Sequence, residues 1–145
     1  MSKMSASAPD EPSTPKVGTQ PYRSMNHPAA KVRLAAVHEI AQQARQNQDH
    51  AALRLLTEAL NDADADVRVL AASQLGQLQC EEAYQPLIAC LKDGAPNVRI
   101  AAAEALGRLG NSDAIAALEP LERDADRSVQ TVAERVIDTL MKTLT

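Results

Sequence analysis

The sequence predicts an all-α protein: a short α-solenoid of antiparallel helix pairs, about three pairs followed by a final helix. Three observations carry this reading. A block of sequence recurs at a fixed step. Apolar residues inside each block fall at three- and four-residue spacing. The apolar residues themselves are small or medium, since the 145 residues hold no Trp, no Phe and two Tyr, with Ala, Leu, Val and Ile in their place. A core built from such side chains suits helices whose axes approach closely over alanine.

The recurrence is plain in the middle of the chain. The run from Asp66 to Leu78 carries Val67, Arg68, Ala71, Ala72, Leu75 and Gly76. It returns from Asn97 to Leu109 with Val98, Arg99, Ala102, Ala103, Leu106 and Gly107, a step of 31 (97 less 66). The same step leads to Ser128, Val129, Gln130, Val132, Ala133 and Ile137. A looser copy, Lys31 to Ile40, lies 35 positions before the second (66 less 31), with the surplus assigned to Gln46-Asn47-Gln48-Asp49. A period in this range, sustained over several units, marks a stacked repeat.

Along the chain, residues 1–25 read as a disordered Pro/Ser-rich tail and residues 26–145 as the repeat domain. Pro9, Pro12, Pro15 and Pro21 block a continuous helix in the tail, and no apolar stripe offsets its ordering entropy. In the second unit, Val67, Leu70, Ala71, Leu75 and Leu78 form one helical face. A break at Gln79-Cys80-Glu81 precedes a second helix carrying Ala83, Leu87, Ile88 and Leu91. In the third unit Gly110 suits a helix end, and Asn111 or Ser112 an N-cap. The turns between units hold Asp62, Asp93 and Asp124 at equivalent positions, where a carboxylate can cap the next helix and favour its dipole. Pro120 falls inside the expected second helix of unit three and predicts a shorter or bent element. The last helix, about Arg127 to Leu144, carries a wide stripe from Val129 to Leu144. That stripe either covers unit three or leaves an apolar strip on which two copies could pair.

The pattern Asp-x-x-x-x-Val-Arg-x-x-Ala-Ala-x-x-Leu-Gly-x-Leu resembles the HEAT repeat, and more narrowly the phycobilisome-lyase HEAT-like subgroup. The likeness spans roughly residues 28–144 and is strongest in units two and three. Unit one has His27 in place of the turn Asp and Ala41 in place of Gly76. The last unit has Gln130 for the Arg and Asp138 for the Gly. The resemblance implies a right-handed α-solenoid, first helices on the convex face and second helices on the concave one. It also implies a structural ladder in which Arg33, Arg68 and Arg99 bond Asp62 and Asp93 of neighbouring turns. A regularly spaced Arg could instead hold phosphate groups, but each has an acid near enough to pair with.

Several chemistries find little support. The net charge of −4 disfavours nucleic acid or an anionic membrane. Cys80 and Cys90 show no metal-ligand spacing and read as small buried residues. The wider repeat class includes deoxyhypusine hydroxylase, which holds two metals on several His-Glu pairs. This chain has one such pair, His38-Glu39, at a position expected to face solvent. No nucleophile elbow or phosphate loop appears. The absence of an apolar signal core or membrane-length stretch predicts a cytoplasmic protein. The expected function is therefore a non-catalytic scaffold or assembly adaptor without cofactor, binding another protein on the concave face. The candidate contact residues are Arg54, Glu58, Glu82, Gln85, Asp113 and Ala116, placed by the alignment of the second helices. The alternative is an accessory subunit or chaperone of a pigment- or cofactor-attaching enzyme of the bilin-lyase kind.

Overall fold

The computed structural model describes residues 21–144. The expected tail over residues 1–20 lies outside the described residues. After a helical turn at residues 21–24, the chain runs through α1 (Ala30–Asn47), α2 (His50–Glu58), α3 (Ala65–Gln77), α4 (Tyr84–Cys90), α5 (Pro96–Leu109), α6 (Ile115–Leu118) and α7 (Arg127–Lys142). Short 3₁₀ segments extend the second helices, at Ala59–Asn61 after α2, Glu81–Ala83 before α4, and on both sides of α6. The described residues contain no strand.

The first helices α1, α3, α5 and α7 stack side by side as one layer. The second helices form the other layer, α2 and α4 each packing against the first helix of the following unit. The periodic residues become rows of a continuous core. Val67, Val98 and Val129 make one row, Ala71, Ala102 and Ala133 another, and Ile40, Leu75, Leu106 and Ile137 a third, all buried. Leu56, Leu87 and Leu118 supply the matching row from the second layer. Each unit thus buries much of its apolar face against its neighbours, beside the packing of α2 on α1 within unit one.

Small residues set the spacing of the first layer. A Cβ at Gly76 would lie 2.8 Å from the Ala105 Cα and 2.9 Å from its Cβ, so α3 and α5 touch almost backbone to backbone. At Gly107 the equivalent atom would meet Val136 at 3.1 Å. In the last copy this position is Asp138, which is exposed on α7.

The helix ends differ from expectation in one respect. Asp62, Asp93 and Asp124 do not cap the next helix. Each sits two residues earlier, in extended or turn conformation, and its Oδ1 accepts from the backbone N–H two residues on, at 2.9 Å in every case. The caps are Asp64 for α3 and Asp126 for α7, whose Oδ1 atoms accept from Asp66 and Val67 and from Ser128 and Val129. Asp49 does the same for α2. At α5 the N-cap residue is Ala95, and Pro96 occupies the first turn, where its missing N–H costs nothing. Between α5 and α6, Gly110 ends the helix with φ 74° and Asn111 caps the next turn through Asp113 N–H.

The surplus residues of unit one also lie elsewhere than expected. They lengthen α1, which has 18 residues against 13 in α3 and 14 in α5. Four extra residues are close to one helical turn, so both ends of α1 keep the register of the later units. Gln48 then matches Gln79 and Gly110 at steps of 31 (48, 79, 110). All three have positive φ, at 52°, 53° and 74°.

Pro120 ends its α-helix: α6 stops at Leu118 and the chain continues as 3₁₀ over Glu119–Arg123. The stripe of α7 turns inward, with Val129, Ala133, Val136, Ile137 and Leu140 buried. Among the described residues, Met141 and Leu144 are the exposed large apolar ones, both at the end of this segment.

Residues 21–25, read as tail from the sequence, pack on the domain. Pro21 is buried, and Tyr22 and Met25 lie against the core. The Tyr22 hydroxyl donates to Asp49 Oδ2 at 3.0 Å. Pro21 is 35 positions before Leu56 and Met25 is 35 before Leu60, so this segment is the remnant of a second helix. Among the described residues the stack thus runs from this half-unit to α7.

Candidate partner-binding face

One set of side chains repeats inside the inter-unit turns, and a second set occupies recurring positions on the outside of the second layer. The inner set is a ladder of Arg and Asp. Arg33 donates from Nε and Nη2 to both carboxylate oxygens of Asp62, each at 2.9 Å. Arg68 grips Asp93 in the same way at 2.8 and 3.0 Å, and Arg99 grips Asp124 at 2.8 and 2.9 Å. The third nitrogen points backward. Arg33 Nη1 donates to His27 O, Arg68 Nη1 to Asp62 O and Arg99 Nη1 to Asp93 O. Each guanidinium thus ties the backbone of its own turn to the carboxylate of the next, the two-pronged geometry that suits Arg and not Lys.

The electrostatics follow from this geometry. Burial pushes the Asp62 and Asp93 carboxyls up. The bonds from Arg33 or Arg68, the turn N–H and the flanking guanidinium charges outweigh it, and both end below the ordinary range. At Asp124 the bond from Arg99 dominates and the carboxyl is again held low. Hydrogen bonding to their carboxylates raises Arg33 and Arg68. With every ladder nitrogen aimed at an oxygen, the arginines have no free edge for a phosphate group.

The ladder has one rung beyond the pairing of Arg33, Arg68 and Arg99 with Asp62 and Asp93 that the resemblance implies: Asp124, a step of 31 after Asp93, takes Arg99. The end substitutions also have roles. Gln130, in place of Arg, keeps the backward bond, donating to Asp124 O at 2.6 Å. His27, in place of Asp, keeps the turn, its Nδ1 accepting from Ala29 N–H at 3.0 Å.

The outer set comprises Arg54, Glu58, Glu82, Gln85, Asp113 and Ala116, and all six are exposed. Arg54 and Glu58 stand on α2, Gln85 on α4 and Ala116 on α6, while Glu82 and Asp113 lie in the 3₁₀ segments that lead into α4 and α6. No ion pair among the described residues engages any of them, in contrast to the first layer, where Arg135 pairs with Glu104 at 3.0 Å. Between α2 and the start of α4 lies an open groove of about 280 Å³, with half-buried Leu53 and Thr57 beside His50, Arg54, Cys80 and Glu82. Burial raises the Cys80 and Cys90 thiols, which keeps both in their unreactive form at neutral pH.

Among the described residues no group of three or more His, Cys, Asp or Glu side chains is placed to hold a metal ion. His38 and Glu39 are exposed, and a single dyad does not fit a two-metal site. No helix among the described residues is long and apolar enough to cross a membrane.

A family model described as HEAT repeats matches residues 53–138, from within α2 to within α7. The chain belongs to the HEAT repeat family. Solved HEAT-like structures resemble it over most of its length. Human deoxyhypusine hydroxylase, solved with glycerol, superposes with a TM-score of 0.73 at 22% identity over 88% of this chain and 44% of the other. An engineered protein superposes with a TM-score of 0.63 at 20% identity, covering 86% and 63%. The complex of CpcE and CpcF of phycocyanin lyase from Nostoc sp. PCC7120 gives 0.56 at 23% identity, covering 92% and 68%. At these identities the likeness is one of fold, and this HEAT array spans less than half of the hydroxylase chain. A search of curated proteins gives no match.

Proposed function

We propose that this HEAT protein is a non-catalytic scaffold that holds another protein across its second-helix face, the face the family resemblance makes concave. One observation carries the reading. The six candidate contacts are exposed at positions that recur along the second layer, with a carboxylate repeated at Glu82 and Asp113, whereas the repeating Arg and Asp residues are consumed inside the turns. A surface with regular spacing and side chains outside any ion pair, Glu82 accepting only from the Cys80 thiol at 3.5 Å, suits an extended peptide or a helix laid along the stack. The test is a pull-down from native cells with wild-type chain, with a Glu58→Lys, Glu82→Lys, Gln85→Lys variant, and with a first-layer variant carrying Glu39→Lys and Glu134→Lys. The reading requires partners that the second-layer variant loses and the first-layer variant keeps. The reverse pattern refutes it.

The fold likeness to CpcE and CpcF supports a second reading, an accessory subunit of a pigment-attaching enzyme. Partners recovered in the pull-down would then include a chromoprotein, and covalent pigment attachment to it would depend on this chain.

A further inference from the structure

The two layers differ in charge, and the difference bears on what the second one would hold. Over the second helices and their 3₁₀ extensions, residues 50–61, 81–91 and 112–123, six carboxylates are exposed: Glu58, Glu81, Glu82, Asp113, Glu119 and Glu122. Only Arg54 and Arg123 oppose them there, and none of the eight belongs to an ion pair among the described residues. Over the first helices, setting the ladder aside, Lys31, Arg45, Arg108, Arg127, Arg135 and Lys142 nearly balance Glu39, Asp66, Glu104, Glu134 and Asp138. The acidic excess is thus confined to one layer, and to its units two and three above all. It adjoins the groove between α2 and α4, where Leu53 and Thr57 offer apolar surface and Glu82 stands at the edge.

We infer that the occupant of this face is a cationic segment of another protein, Lys- or Arg-bearing, with an aliphatic anchor seated in the α2–α4 groove. The inference rests on the second-helix reading above and adds the chemistry of the partner. Unpaired surface carboxylates contribute little to the fold. Facing a basic segment they steer encounter, fix its direction along the stack and reject acidic competitors. Running along the stack from the groove, the segment meets Glu82 and then Asp113, the equivalent position one unit on. The near-neutral end at Arg54 and Glu58 places fewer cations there.

The experiment is selection from a random peptide library displayed on phage against the full chain, followed by affinity measurement on synthetic copies of the recovered peptides. The expected peptides carry an excess of Lys and Arg and one Leu, Ile or Val. Their affinity falls at least about tenfold in the Glu82→Lys, Asp113→Lys double variant and weakens as salt is raised. Glu104→Lys with Glu134→Lys on the first layer leaves it unchanged. Peptides that are neutral or acidic, yet sensitive to second-layer variants, overturn the partner chemistry and leave the scaffold face standing. Peptides sensitive only to first-layer variants overturn both. Failure to recover any binding peptide counts against the basic segment as well.

Discussion

The Arg–Asp ladder can be weighed by removing one rung. Asp93→Ala deletes two charge-assisted bonds from Arg68, at 2.8 and 3.0 Å, and the 2.9 Å bond from Ala95 N–H that shapes the turn. The side chains are 18% and 13% exposed, so water reaches the vacated edge of Arg68 and restores part of what is lost. Hydrogen bonds to charged groups contribute about 1.5–3 kcal/mol each before such replacement, which leaves a net cost of about 2–3 kcal/mol for the rung and its turn. For a domain of this size that lowers the melting temperature by roughly 6–12 °C. The exposed pair Arg135–Glu104, at 59% and 44%, is the internal control. Glu104→Ala is expected to cost less than about 0.5 kcal/mol. Urea titrations of Asp93→Ala, Arg68→Ala and the double variant close a cycle whose coupling is expected near 1–2 kcal/mol. A loss in Asp93→Ala no larger than in Glu104→Ala, or a coupling indistinguishable from zero, would refute the claim that the ladder holds the units together.

Gly76→Ala tests the closeness of α3 and α5. On an exposed helix the change would stabilise by about 1 kcal/mol, but here the new methyl meets backbone at 2.8 Å, so a net loss of about 1–3 kcal/mol is expected in urea melts. Gln48→Gly should act in the opposite sense. Gln48 holds φ 52° in an exposed position, and glycine there relieves strain worth about 0.5–1 kcal/mol, seen as a higher melting temperature. Acid should uncouple the ladder. Asp49, Asp62, Asp93 and Asp124 titrate lower in the folded chain than their ordinary value of 3.8, so the unfolded state takes up protons first as the pH falls. Their contribution is complete above that value and is lost below it as pH drops through the depressed folded values. Stability measured by urea from pH 7 to pH 3 should show its ladder-dependent fall only in the acid part of that range, with a smaller fall in Asp93→Ala.

Much of this architecture was legible because repetition multiplies the signal. Val67, Val98 and Val129 in one row, and Leu56, Leu87 and Leu118 in another, follow from the period alone. The misread parts are those where the local backbone decides. Asp62 and Asp64 both suit a helix N-terminus by type, and only the turn conformation assigns the first to the ladder and the second to the cap. The four extra residues of unit one carry no breaker. A loop and one more helical turn are therefore equally compatible with the letters, and helix propagation through Gln46 and Asn47 won. Residues 21–25 read as tail because of Pro21, whose buried place is nevertheless the one that Leu56 holds a unit later. The outer set is legible only as a position, because exposure names a surface without naming what it meets.

The ladder also says something about growth. A stretch from Asp62 to Lys92 brings one carboxylate for the guanidinium before it and one guanidinium for the carboxylate after it. Duplicated in the interior, it would leave no charge orphaned and would give the next core row its valine and leucine. At His27 and Gln130 this reciprocity stops: each keeps its bond to the local backbone and offers no charged half to a further neighbour. The number of rungs is thereby an editable quantity, while the two residues that close the rail act as its buffers.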